Sequence, residues 1–326
     1  MKHSLIIILS LLLTCPYVVH AQVSAKSKQP VSVDFSVPEQ KPVNSMVPEI
    51  KQDVINEDIK TLAAKSDVDV NIPVANEKKE KTFAVIIANE NYRRESQVEF
   101  ALNDGKMFQQ YCIQTLGLLE SNVHLSLNAT LNEMIYEIEW ISNVAKAYKG
   151  EANIIFYYAG HGVPDESTGT AYLLPTDGIS SSVRSGYKLN DLYSELGKLP
   201  AHNITVFIDA CFSGVQRSDE EKMLALARGV RIEAVKGVPI GNMVVLSAAQ
   251  GKETAYPYRE KEHGMFTYFL LKKLQETKGN ATLGEISNYV ITNVEQKSIV
   301  VNGRSQTPMV IPSMILKDIW QDIKLK

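Results

Sequence analysis

The fold this chain predicts is α/β, built on a mostly parallel sheet of about six strands with helices on both faces. Three observations point to it. From Thr82 onward, short continuous apolar runs rich in β-branched and aromatic residues recur, as in strands buried on both sides. Amphipathic segments with helical spacing lie between them. Two of the runs stop abruptly at glycines beside a side chain capable of chemistry. NIIFYYAGHG, Asn153–Gly162, delivers His161 between Gly160 and Gly162; NITVFIDACFSG, Asn203–Gly214, delivers Cys211 two residues after Asp209.

The chain opens on a leader rather than on fold. Lys2 supplies a short positive region, Leu5–Leu13 is apolar apart from Ser10, and Pro16 breaks the run. The run is too short to cross a bilayer, which takes roughly 20 residues. Val19 and Ala21 stand at the −3 and −1 positions of a cleavage site before Gln22, so residues 1–21 read as a secretory signal peptide and the protein as periplasmic or extracellular. The alternatives are an uncleaved anchor and a lipoprotein signal with Cys15 as the lipidated residue; membrane attachment is expected only through Cys15.

Residues 22–80 read as a disordered linker or pro-segment. Pro30, Pro38, Pro42, Pro48 and Pro73 punctuate a polar stretch with one aromatic, Phe35, too little apolar surface to offset ordering entropy. Asp53–Ala64 has the pattern of a short helix. The folded domain is expected over 81–326.

Phe83–Ala88 is the first strand and Asn89–Gln97 a polar loop. Ala101–Leu116 places Leu102, Met107 or Phe108, Tyr111, Cys112 and Leu116 at helical spacing. Val123–Leu127 is the second strand. Thr130, with Glu133 three residues on, forms a capping box for a helix through Tyr148. Asn153–Tyr158 is the third strand, and Pro164–Gly186 is a polar loop holding the short β-like piece Ala171–Leu174. Leu189–Leu199 is helical, Ile204–Ile208 is the fourth strand, and Val215–Gly241 is a long charged loop. Met243–Ser247 is the fifth strand, Met265–Glu276 and Leu283–Val294 are helices, and Met309–Ile311 is a sixth strand after the Gln306-Thr307-Pro308 turn.

Composition narrows the function. The net charge is −3 and the pI about 6.1, so no basic field marks a nucleic-acid partner. Once the leader is removed, Cys112 and Cys211 remain; both are expected as free thiols, Cys112 as a small core residue.

Cys211 and His161 suggest a nucleophile and its base. A thiol with an ordinary pKa of about 8.5 is mostly unionised at neutral pH, and a neighbouring imidazole can take its proton and later protonate a leaving amine. The two residues are 50 positions apart, close in space if their strands are neighbours in the sheet. The amides of Gly162 and Cys211 are candidate oxyanion-hole donors. Asp209 lies two residues before the nucleophile, so strand alternation puts both side chains on one face. His124, His202 and His263 lack such a context and read as surface or structural residues.

The motifs Tyr158-Ala159-Gly160-His161-Gly162 and Asp209-Ala210-Cys211-Phe212-Ser213-Gly214 resemble those of the caspase-like, clan-CD cysteine peptidases, most of all the metacaspase-like bacterial branch of family C14. The resemblance runs from about Lys81 to Ile311. It takes in Phe83–Asn91, Asn103-Asp104, His263-Gly264-Met265-Phe266-Thr267-Tyr268 and Gln306-Thr307-Pro308. It implies a caspase-like three-layer α/β/α sandwich and a cysteine endopeptidase acting on proteins or peptides. The caspase Gln-Ala-Cys-Arg-Gly element is not matched: Asp209 replaces the glutamine and Phe212 the arginine.

In the metacaspase pattern a second carboxylate, matching Asp104, lines the S1 pocket with the one at Asp209. Two carboxylates favour a cation, so cleavage is expected after Arg or Lys. Self-cleavage sites are then Arg217, Lys222 and Arg228 in the charged loop, with Arg231 and Lys236 beside them, or a lysine within Lys78–Lys81. No cofactor and no metal site is expected. Calcium is the one candidate ion, because many metacaspases use it; Asp165, Glu166, Asp177 and Asp191 lack calcium-loop spacing. A monomer is expected. The competing reading is a catalytically silent or latent caspase-fold module that binds or regulates; a serine α/β hydrolase lacks its Gly-x-Ser-x-Gly elbow.

Overall fold

A computed structural model describes residues 66–212, 237–251 and 253–326. The signal peptide, the proposed Asp53–Ala64 helix and the self-cleavage candidates Arg217, Lys222 and Arg228 lie outside these residues.

The apolar runs form one six-stranded sheet. Its strands are β1 (Thr82–Ala88), β2 (Val123–Leu127), β3 (Asn153–Ala159), β7 (Asn203–Asp209), β8 (Met243–Ser247) and β11 (Met309–Pro312), in the order β11-β8-β7-β3-β1-β2. All pairs are parallel except β11 with β8. Two small antiparallel sheets are separate from the main sheet. One is made of β4 (Gly162–Pro164), β5 (Ala171–Leu173) and β6 (Tyr187–Lys188); the other is a hairpin of β9 (Pro257–Tyr258) and β10 (His263–Gly264). Strands of two or three residues carry no readable period, and only β5 was expected from the sequence.

Alternation along the strands splits the core into two layers. Phe83, Val85 and Ile87 of β1, with Phe156 of β3 and Val206 of β7, pack against α2 (Leu131–Tyr148) and α3 (Leu189–Gly197). Ala84 and Ile86, with Tyr157 and Phe207, face α1 (Ala101–Gln110), α4 (Met265–Thr277) and α5 (Leu283–Asn302). This is a three-layer α/β/α sandwich.

The expected capping box is present in full: Thr130 accepts from the Glu133 amide, and the Glu133 carboxylate accepts from the Thr130 amide. A second one, Thr282 with Glu285, starts α5. Past Gln110, the predicted helix over Ala101–Leu116 widens into a π-turn, Tyr111–Thr115. Cys112 is buried in that turn, and burial pushes its thiol well above the ordinary range. Neither Cys112 nor Cys211 is in a disulfide.

The expected linker boundary at residue 80 needs correction. Residues 66–80 form an ordered strap on the domain. Val68 is buried in the core, and its carbonyl accepts from the Tyr111 hydroxyl at 2.8 Å. Thr115 donates to the Pro73 carbonyl, and Gln275 donates to the carbonyls of Asp67 and Val70. Asp67 binds Lys261, Lys272 and Tyr268, and the two ammonium groups hold its carboxyl below the usual range against the opposing effect of burial. The composition is that of a linker, but the anchoring is done by backbone carbonyls and one carboxylate, which apolar content does not reveal. Lys78–Lys81 is likewise committed. The Lys79 amide donates to the Gly117 carbonyl, Lys79 bridges Leu118, and Lys81 pairs with Glu151. A peptidase binds extended, unpaired backbone, so this segment is a poor self-cleavage site.

Candidate active site

The register of the sheet builds the site. β3 and β7 are neighbours, with Ala159 opposite Asp209 at their carboxyl ends. The Gly160 amide continues the ladder, donating to the Asp209 carbonyl at 3.2 Å. One residue further, His161 and Cys211 leave adjacent strand ends side by side, and the 50-residue interval closes. Alternation sends Tyr157, Ala159 and His161 to the same face as Phe207, Asp209 and Cys211. That face is the one covered by α1, α4 and α5. His161 and Cys211 are both buried. In open parallel sheets the carboxyl edge is where ligands bind.

His161 is fixed at three points. Its amide donates to the Tyr92 hydroxyl at 2.8 Å, its carbonyl accepts from the Tyr158 hydroxyl at 2.8 Å, and its Nε2 lies 2.8 Å from the Ser96 carbonyl. A carbonyl only accepts, so Nε2 carries the hydrogen and Nδ1 is the basic nitrogen. The Tyr92 ring packs 4.6 Å from the imidazole. Tyr92, Tyr158 and Ser96 were not legible as site residues, since two act through hydroxyls on backbone and the third through its carbonyl.

Gly162 stands opposite Leu173, and the flanking bond runs from the Leu174 amide to the His161 carbonyl at 3.0 Å. This is a non-hydrogen-bonded position of the small sheet, so the Gly162 N–H points away from β5. A Cβ at Gly162 would lie 2.6 Å from the Phe212 ring and 2.7 Å from the Cys211 carbonyl. Gly162→Ala therefore displaces the Cys211 backbone. We expect its kcat on a peptide reporter to fall about 100-fold with an unchanged circular dichroism spectrum.

Asp104 and Asp209 come together on one glycine. A Cβ at Gly264 would lie 2.3 Å from Asp209 Oδ2 and 3.0 Å from Asp104 Oδ2. Both carboxylates are buried. Asp209 accepts from the Thr267 hydroxyl at 2.8 Å and from the Thr267 amide at 3.3 Å, in the first turn of α4, where the helix dipole favours an anion. Thr267 spends its hydrogen on Asp209, so Tyr157 donates to it at 2.7 Å. Asp104, on α1, accepts from the Gly264 amide at 3.0 Å. The Glu90 carboxylate caps α1 by accepting from the Leu102 amide, which sets the start of the helix that carries Asp104.

His263 was expected at the surface or in a structural role; it is fully buried and joins the acidic cluster. Its Nδ1 is 2.7 Å from Asp104 and its Nε2 2.8 Å from Asp69. Burial opposes the imidazolium, but the two carboxylates outweigh it and lift the group to about 9. Burial raises Asp104 to about 7; the imidazolium works against that rise, and Asp209 adds to it. Asp69 and Thr267 were missed. Asp69 lies 194 positions from its partner, and no local pattern marks it. The remaining histidines fit expectation: His124 stacks on Trp140 and bonds Glu137, and His202 is exposed.

Three of the acidic residues considered for calcium, Asp165, Asp177 and Asp191, are engaged separately. Asp165 caps its own turn through Ser167 and Thr168, Asp177 accepts from the Leu131 amide, and Asp191 pairs with Lys188. Among the described residues, no group of three or more His, Cys, Asp or Glu side chains is arranged to hold a metal ion.

No curated protein matches the chain in sequence. Among solved structures it is similar to caspase-1 from Spodoptera frugiperda, at 17% identity and a TM-score of 0.51, covering 77% of this chain and 96% of that one. It is also similar to a protein from Geobacter sulfurreducens, at 16% identity and a TM-score of 0.52, covering 72% of this chain and 93% of that one. At these identities the likeness establishes the fold. The peptidase C14 caspase-domain model matches residues 81–319, the span that holds the sheet, both strand-end motifs, Asp104, Asp209 and His263, and the chain therefore belongs to the caspase-domain family of cysteine peptidases.

Proposed function

We propose that the protein is an exported cysteine endopeptidase that cuts after Arg or Lys through a His161–Cys211 dyad. One observation carries the specificity: Asp104 and Asp209 meet across Gly264, on the sheet face that also presents Cys211. Asp69 and Asp104 hold the one imidazole and Asp209 lies beside Asp104, so three carboxylates stand against a single His263 imidazolium. Such a cluster favours a guanidinium or ammonium and repels an acidic side chain.

The chemistry follows from the groups present. His161 Nδ1 takes the Cys211 proton, and the thiolate attacks the substrate carbonyl carbon. The amides of Gly162 and Cys211 receive the oxyanion. The intermediate collapses as His161 returns the proton to the leaving amine, and a thioester remains on Cys211. Water, deprotonated by His161, hydrolyses the thioester and frees the thiol. The Ser96 carbonyl keeps the imidazole in the one tautomer that serves both steps.

Self-processing, on this reading, falls in the loop with Arg217, Lys222 and Arg228, and the mature protein starts at Gln22. A peptide-library cleavage profile tests the specificity, with Cys211→Ala as control. The expected result is P1 Arg and Lys in the wild-type profile and no cleavage by the variant; a profile led by P1 Asp overturns the reading. Intact mass of wild type and Cys211→Ala, each expressed alone, tests self-processing in the same preparation. Fragments that persist in the variant exclude it.

A further inference from the structure

The strap Ser66–Glu80 precedes the span that the family model covers, yet one of its side chains reaches the acidic cluster. Asp69 holds His263 Nε2 at 2.8 Å, and the opposite nitrogen holds Asp104 at 2.7 Å. Two carboxylates, one at each ring nitrogen, favour the imidazolium, which can donate to both. The three groups thus form a carboxylate–imidazolium–carboxylate chain running from the partly buried Asp69 of the strap to the buried Asp104 of the proposed S1 pocket. Asn103 lies beside it, donating to the Glu262 carbonyl at 3.0 Å and to Asp69 Oδ2 at 3.4 Å.

We infer that Asp69 is a specificity-positioning residue: through His263 it keeps the Asp104 carboxylate in place beside Asp209, and so makes the strap a working part of the S1 pocket. The inference rests on the Arg/Lys reading given above. His263 sits on β10 at the entrance to α4, and Gly264, against which both pocket carboxylates pack, is the next residue. If His263 loses its second anchor, the imidazole turns more easily, and Gly264 and Asp104 move with it. The charged and titratable groups facing this chain are Asp69 and Asp67 on the strap, Asp104 and Tyr111 from α1 and the turn after it, Asp209 on β7, and Lys261 beside the hairpin. Without Asp69 the imidazolium is less favoured, and Asp104 protonates more readily. The acid limb of activity on a cationic substrate then moves to higher pH.

The experiment compares wild type, Asp69→Asn and Asp67→Asn on matched reporters with P1 Arg and with an uncharged P1 residue. Asp67 anchors the same strap through Lys261 and Lys272 but does not touch His263. The expected result is a fall of about tenfold in the Arg-to-neutral ratio of kcat/KM for Asp69→Asn, mainly through KM, with its acid limb shifted upward. Asp67→Asn should lower the melting temperature but keep the wild-type ratio and pH profile. An unchanged ratio in Asp69→Asn overturns the inference, as does an equal fall in both variants, which would mean strap docking alone. A wild type that shows no Arg preference overturns the specificity reading instead. Imidazole ¹⁵N spectra of the wild type provide a readout that needs no variant. His263 should carry hydrogen on both nitrogens at pH 7, and a neutral ring there also overturns the inference.

Discussion

Cys211→Ala should reduce turnover of a P1-Arg peptide to background, a loss of about 10⁴-fold or more in kcat. His161→Ala should fall nearly as far, and the double variant no further, because nucleophile and base act as one unit. The site's geometry sets this expectation. The two side chains leave adjacent strand ends on one face, and the imidazole is pinned by Tyr92, Tyr158 and the Ser96 carbonyl. Cys112 provides the control. It is the other thiol in the described domain, and it is buried with its thiol pushed far from ionisation. Cys112→Ala should therefore retain turnover and covalent capture by a P1-Arg chloromethylketone. Single-turnover kinetics and the mass of the captured adduct check both statements. Substantial turnover by folded Cys211→Ala would remove the dyad from the mechanism.

Asp209→Asn is expected to lower kcat/KM for a P1-Arg reporter by about 100-fold or more, the effect of removing one partner of a buried charge pair. Asparagine keeps the size and an oxygen that can still accept from Thr267, so the first turn of α4 stays anchored. A reporter with an uncharged P1 residue should change by only a few-fold, and the loss on Arg should lie mainly in KM. Steady-state kinetics on the two reporters give the answer. Equal losses on both would assign Asp209 to holding α4 rather than to choosing substrate.

The sheet was legible because strands buried on both faces leave continuous apolar runs, and glycines mark where they stop. β1, β2, β3, β7 and β8 lie within one residue of where the runs place them. The capping box at Thr130 was legible for a local reason: both of its partners sit within four residues. The neighbouring placement of His161 and Cys211 was legible through two such strand ends and their equal context. What the sequence hid is what depends on distance. His263 sits in a two-residue strand with no periodicity, and its partners lie 159 and 194 positions away. The strap was hidden differently. Its polar composition is a fair sign of disorder, but Val68, Asp67 and a few carbonyls dock it with little apolar surface.

The reach of Asp69 to His263 also sets an order of assembly. Contacts between residues far apart in the chain close late, since loop entropy must be overcome before they form. The dyad joins neighbouring strands and needs the chain only as far as Cys211, whereas the acidic cluster needs His263, Gly264 and Thr267 as well. On the proposed reading, a nascent or truncated chain that ends between those points carries Cys211 and His161 without the groups proposed to select a substrate. Competence to choose is thus postponed until the C-terminal third has folded, and the strap is the last strand of evidence that it has: it can close on His263 only after α4 is in place.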